Sequence, residues 1–212
     1  MIRLLLAAAF AGGIAAAAVG WLVWPRAPAE PPERSSAELM DVVMWNKEPI
    51  GGPFALIDHT GRPRTDADFR GKLLLIYFGF TYCSDACPID LQSIATALDR
   101  LGPLADSVQP LFITVDPEKD TPEQLKSYVG QFHPRLIGLT GEPHRVREVL
   151  RAYKVYAAKS APAQRADPNV DHSSLVYLVD AAGKYIGYFP PGTSAERMTD
   201  VIRQQLAALA HS

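Results

Sequence analysis

The chain has 212 residues, 48% of them hydrophobic, which is enough for one substantial domain plus an extra segment and tight for two domains. A formal net charge of −2 with no basic tract leaves no electrostatic footprint for nucleic acid, and that class of partner is excluded.

Behind Arg3, residues 4–24 form an uncharged apolar run long enough to cross a bilayer as a helix. Signal-peptide cores run to only about 7–15 residues. This run is longer, and Trp21 and Trp24 sit where interfacial aromatics anchor a span. Residues 1–24 are therefore expected to be a membrane anchor, with a signal peptide cut near Ala27-Pro28-Ala29 as the alternative. Residues 25–40 are rich in Pro, Glu and Ser and read as an extended linker, and residues 41–212 as the exported domain. The short N-terminal flank lacks an Arg- and Ser-rich transit peptide, so the expectation is a single-pass protein of a bacterial inner membrane with its C-terminal domain in the periplasm. Disulfides persist in such a compartment.

Within the domain, PFALID, HTGRP and TDADFRGK predict a hairpin-like opening. LLLIYFGF, residues 73–80, is a continuous apolar run that predicts a strand buried on both faces. Leu91, Ile94, Ala95, Leu98 and Leu101 then recur at helical spacing until Gly102-Pro103. LFITVD, residues 111–116, is a second buried strand, and Thr121, Pro122 and Gln124 supply the cap, first-turn proline and capping-box residue of a helix ending near residue 130. A short strand over 136–139, a helix over 143–153, the strands LVYLVD and YIGYF, and a final helix capped by Thr193 and Glu196 complete the pattern. Alternating strands and helices with a closing antiparallel hairpin predict a layered α/β fold. A long loop between Tyr156 and Leu175 is unusual enough to suggest function.

Cys83 and Cys87, the only cysteines, fall at the turn from the first central strand into the first long helix. The positive end of a helix dipole favours thiolate over thiol there, so reactive or metal-binding sulfur is expected, against the plainer alternative of a static disulfide or two buried thiols. A C-x-x-C spacing would be a thioredoxin redox motif. The C-x-x-x-C spacing found here places two Cβ atoms about 5–6 Å apart on a helical turn. That suits two sulfurs around one ion better than a relaxed disulfide with Cβ atoms about 3.8 Å apart, although a disulfide stays within reach.

A third soft or borderline ligand is needed, and five histidines are available. His59, His133, His144 and His211 sit in turns, beside prolines or in the tail and read as solvated surface groups. His172, in DHSS at the end of the long loop and directly before LVYLVD, lies near the sheet edge where a strand-to-helix loop could meet it. Two thiolates and one imidazole suit Cu(I), whereas structural zinc usually takes four ligands, the fourth of which Asp116 or Asp171 could supply.

Three blocks, GGPFALIDHTGRPRTDADFRGKLLLIYFGFTYCSDACPIDL, LFITVDPEKDTPEQLKSY and DHSSLVYLVDAAGKYIGYF, resemble in order and spacing the SCO/SenC family of copper-binding assembly factors for cytochrome c oxidase. The resemblance covers roughly residues 45–210. It implies a thioredoxin-like α/β fold, a central mixed β-sheet flanked by helices, with an N-terminal transmembrane helix. It also implies copper held by Cys83, Cys87 and His172, as Cu(I) with Cu(II) a second candidate state, and a role for Asp116 in shaping the site or docking a partner. The expected function is a membrane-tethered copper chaperone that takes copper from a periplasmic donor and delivers it to, or reduces the thiols of, the dinuclear copper site of a cytochrome c oxidase subunit. A thiol-disulfide oxidoreductase using a Cys83–Cys87 redox pair is the alternative, and a thiol peroxidase a weaker one. The family usually has Pro after the first Cys where this chain has Ser84.

Overall fold

The computed structural model describes residues 49–83, 86–159 and 170–209. Residues 4–24 and the linker therefore lie outside the described residues, as does Ser84. Among the described residues no helix is long and apolar enough to cross a membrane.

An antiparallel hairpin of β1 (Ala55–Asp58) and β2 (Pro63–Thr65) opens the domain, as expected. β3 (Leu73–Gly79) leads through the cysteine turn into α1 (Ala86–Leu101), followed by β4 (Val108–Thr114), α2 (Pro122–Val129), β5 (Ile137–Thr140) and α3 (Pro143–Ala152). Two short strands, β6 (Ala157–Lys159) and β7 (Val170–His172), precede the β8 (Val176–Val179) and β9 (Tyr185–Phe189) hairpin and α4 (Ala195–Leu209). The main sheet runs β2-β1-β5-β4-β3-β8-β9. β3, β4 and β5 are parallel and their outer neighbours antiparallel, so the sheet is mixed, in the thioredoxin-like arrangement that the resemblance implied.

β3 is buried at every position and divides its side chains between two cores. Leu73, Leu75 and Tyr77 meet Leu91, Ile94 and Leu98 of α1, Leu125 of α2 and Met198 and Ile202 of α4 on one face. Leu74, Ile76 and Phe78 meet Val146, Val149 and Leu150 of α3 on the other. A strand covered on both faces needs apolar side chains in both directions, which is why the run was readable in the sequence. Each fully buried aliphatic side chain contributes about 1.5–3 kcal/mol.

Three expectations need correction. The stretch from Tyr156 to Leu175 is not simply a loop, because β6 and β7 pair as an antiparallel ribbon with Ala157 opposite His172. Strands of three residues are too short to show alternation. The last helix is capped by Ser194, whose hydroxyl accepts the Arg197 N–H at 3.2 Å, and not by Thr193, whose hydroxyl donates to the Pro190 carbonyl and so serves the turn. β8 is also interior, between β3 and β9, and the sequence preceding it therefore reaches the middle of the sheet and not its edge.

The β1–β2 turn is built on one buried carboxylate. Asp58 accepts from the Thr60 N–H and hydroxyl and from the Arg62 N–H, and pairs with Arg64 Nε at 2.8 Å. Burial alone would raise its pKa, but the Thr60, Arg64 and Arg62 bonds outweigh it and hold the carboxyl well below the usual range. A depressed folded-state pKa contributes stability above the unfolded value near 4, lost as pH falls through the folded one. Asp58→Ala is expected to cost about 2–4 kcal/mol in urea unfolding at neutral pH, by orphaning those donors. The gap from wild type should narrow in strong acid, and a pH-independent gap would contradict the assignment.

Candidate metal centre

Cys83, Cys87 and His172 come together although His172 is 85 residues from Cys87 in the chain. Their ligand atoms all lie within 4.8 Å of one another, and among the described residues no other group of three or more His, Cys, Asp or Glu side chains has metal-binding compactness. Each arrives by a different local device. Cys83 sits in the turn after β3, where its N–H donates to the Phe80 carbonyl at 3.2 Å. Cys87 lies in the first turn of α1, fully buried against the core shared by β3, α1 and α4. His172 ends β7, and pairing of β8 with β3 carries the following residues back alongside the cysteine turn.

Close approach of α1 to β3 depends on a missing side chain. A Cβ on Gly79 would lie 2.9 Å from the Phe112 ring and 3.1 Å from both Cys87 Sγ and the Tyr77 ring, so glycine lets the sulfur sit directly over the end of the strand. His172 is held by its surroundings. Its Nδ1 lies 3.2 Å from the Ser173 carbonyl, which as an acceptor fixes the proton on Nδ1 and leaves Nε2 as the free lone pair, 3.5 Å from Cys87 Sγ. Phe80 and Tyr77 meet the imidazole edge-on, at 5.8 and 6.3 Å between centroids. The result is two sulfurs and one ring nitrogen converging among aromatic walls, a donor set suited to a soft ion.

The favourable effect expected of the helix end on Cys87 is opposed in the metal-free protein: its neighbour Cys83 first, and then burial, push the Cys87 thiol up. No disulfide joins Cys83 and Cys87 in this structure.

Asp116 is buried two residues past the end of β4 and is not among the converging side chains. Asp171 lies in β7, and its side chain is outside the described residues. His59 accepts the Gly138 N–H through Nδ1, and His133 accepts that of Arg135, so both serve the local fold, while His144 is exposed. His211 lies outside the described residues.

Buried polar groups that sequence reasoning missed surround the centre. Asp120 accepts from Thr81, two residues before Cys83, and from Thr114. Asp90, on α1, accepts the Gly192 N–H at 3.0 Å through Oδ1. Its Oδ2 and the Tyr77 hydroxyl are buried with no partner at hydrogen-bond distance. No signal in the sequence pattern marks Asp90 or Asp120 as buried.

Residues 43–207 match the SCO1/SenC family. The chain is 45% identical over 159 residues to the mitochondrial SCO2 homologue of Bos taurus, covering 74% of this chain and 60% of that protein. It thus spans about three-fifths of the length of that relative. Among solved structures, ScoI of Bradyrhizobium japonicum with copper bound aligns with a TM-score of 0.69 at 40% identity, over 74% of this chain and 99% of that one. ScoI of Arabidopsis thaliana with copper bound aligns with a TM-score of 0.71 at 39% identity, over 75% and 99%.

Proposed function

Because the chain belongs to the SCO1/SenC family, we propose that it is a membrane-tethered copper chaperone that carries one Cu(I) on Cys83, Cys87 and His172 to the dinuclear copper site of a cytochrome c oxidase subunit. The observation that carries this reading is the convergence of two thiols and an imidazole within 4.8 Å in a chain similar to copper-bound Sco structures. Copper is the cargo. The ion displaces the protons of Cys83 and Cys87, and His172 binds through neutral Nε2. Cys83 is partly exposed and Cys87 fully buried, so an incoming sulfur of the partner replaces Cys83 first and Cys87 last. Exposed Tyr82 and Ile89, beside Cys83 and in the first turns of α1, form an apolar rim for that encounter.

In this reading residues 4–24 anchor the protein in a bacterial inner membrane, the linker raises the domain into the periplasm, and a periplasmic donor supplies the copper. Asp116 serves in this reading to shape the site or to dock a partner.

The full chain, purified in detergent and reduced, is expected to bind about one Cu(I), and His172→Ala to weaken it by more than about tenfold in chelator competition, equivalent to roughly 1.4 kcal/mol. An unchanged affinity would remove His172 from the site. The second reading, a thiol-disulfide oxidoreductase, is favoured by the proximity of the two cysteine sulfurs. It requires insulin reduction that a Cys83→Ser variant loses.

A further inference from the structure

We propose that the Lys119 ammonium draws an anionic sulfur donor to Cys83, which makes Lys119 the steering residue for the encounter in which copper leaves. The inference rests on the copper reading above for the purpose of that encounter, and its test reads Cys83 in the metal-free chain.

Lys119 belongs to the turn after β4 and is held against the turn that carries Cys83. Its N–H donates to the Asp116 carbonyl at 3.1 Å. The next residue, Asp120, accepts the Thr81 N–H at 3.2 Å and the Thr81 hydroxyl at 2.6 Å. The neighbours of that pair meet as well, with Lys119 Nζ 5.7 Å from the centre of the Tyr82 ring. Two contacts in register thus fix a cation over the residue adjoining Cys83. The position is open to a visitor, because Tyr82 is 53% exposed.

The charge around it is of the opposite sign. Residues 79–92, 114–124 and 170–176 carry or brace the three ligands, and they contain seven Asp or Glu but one Lys or Arg, which is Lys119. Glu118, on the same turn, and Glu123, at the start of α2, are both exposed. An arriving thiolate is repelled by such a surface at distances up to a Debye length, about 10 Å at 0.1 M salt. A positive charge beside Cys83 offsets that repulsion where the sulfur has to arrive, and charges so placed act on association rate more than on affinity. In the exchange the incoming sulfur gives a lone pair to copper as the bond from Cys83 breaks, and Cys83 departs with its pair as a thiolate. Both sulfurs are anions at the side of the site that Lys119 guards. The competing account is structural, in which the contact with the Tyr82 ring only holds the turn in shape.

Lys119→Gln separates the two. In the reduced, metal-free full chain in a neutral detergent, the initial rate of thiol modification is measured with two disulfide reagents, dithiobis-nitrobenzoate, a dianion, and dithiodipyridine, which is neutral. Cys83 is partly exposed and Cys87 buried, so Cys83 reacts first. In each case its sulfur attacks one sulfur of the reagent, a mixed disulfide forms, and the aryl thiolate leaves with the electron pair. A change in the acidity of Cys83 or in the shape of the turn moves both rates alike, so their ratio isolates the charge. The variant is expected to react about 3–10-fold more slowly with the dianion at low ionic strength and within about twofold of wild type with the neutral reagent. The difference should vanish at about 0.5 M salt, and Lys119→Arg should keep the wild-type ratio. An unchanged ratio in Lys119→Gln would overturn the inference. Equal slowing with both reagents would also overturn it, assigning Lys119 to holding the turn. A wild-type chain that took up no Cu(I) while the ratio shifted as expected would overturn the copper reading and leave the steering of anionic sulfur to Cys83 standing.

Discussion

Serine in place of either Cys83 or Cys87 is expected to weaken Cu(I) binding by more than about 100-fold, beyond the loss for a group that only orients a ligand and equivalent to roughly 2.7 kcal/mol. A hydroxyl is hard and stays protonated where Cu(I) requires a soft thiolate, and each sulfur is one of the three converging donors found among the described residues. The two variants should part company in the absence of metal. Cys87 is enclosed by the core against α1 and α4, so a serine there buries a hydroxyl and is expected to cost about 1–3 kcal/mol of folding stability. Cys83 is half-exposed in the turn, and serine should change stability by less than about 0.5 kcal/mol. Chelator competition and urea unfolding of the metal-free variants check both halves. A Cys83→Ser chain that kept wild-type affinity would rule out a two-thiolate site.

The parts of this architecture that could be read in the sequence are those in which one residue's neighbours in the chain carry the information. LLLIYFGF announced a strand covered on both faces because double-sided burial leaves no polar alternation, and the strand ends within a residue of that run. Thr121-Pro122-Glu123-Gln124 announced α2, and the Thr121 hydroxyl does accept the Gln124 N–H at 3.2 Å. The helix over 143–153 and the strand YIGYF also appear where they were expected. The three proposed ligands were named from motif blocks, yet their convergence is a long-range fact, produced by β8 pairing with β3 and by a ribbon whose strands are too short to show a pattern. The same limit explains the thiolate expectation. A helix end and a second cysteine four positions away are visible in sequence, whereas the packing that buries Cys87 and opposes its ionisation is not. Asp90 and Asp120 were unreadable as buried groups for a related reason. The groups that satisfy Asp90 and Asp120 lie as far off as Gly192 and Thr81, 102 and 39 residues away.

Of these buried carboxylates, Asp120 should have the largest effect on the fold around the metal centre. It is 0% exposed and accepts the Thr81 N–H at 3.2 Å and the Thr81 and Thr114 hydroxyls, each at 2.6 Å. It thereby ties the turn that carries Cys83 to the end of β4, and the Thr114 hydroxyl in turn accepts the Asp116 N–H at 2.9 Å. Asp120→Ala orphans these donors together and is expected to cost about 3–5 kcal/mol, with a weaker hold on Cu(I) because Thr81 is no longer fixed. Asp120→Asn keeps one acceptor oxygen and carries no charge, so the loss should be only about 1–2 kcal/mol. The pH dependence should oppose that of Asp58. Burial raises the Asp120 pKa despite the Thr114 and Thr81 bonds, with the Asp116 charge adding to the rise. A carboxyl raised in the folded state contributes stability that is fully present below its unfolded pKa near 4 and is lost as pH rises through the folded value. Wild type should therefore gain on Asp120→Asn as pH falls through that interval and lose ground to it above. Urea unfolding of the two proteins across that interval tests the sign, and a wild-type advantage that grew with rising pH would show that Asp120 is held as a stabilised anion.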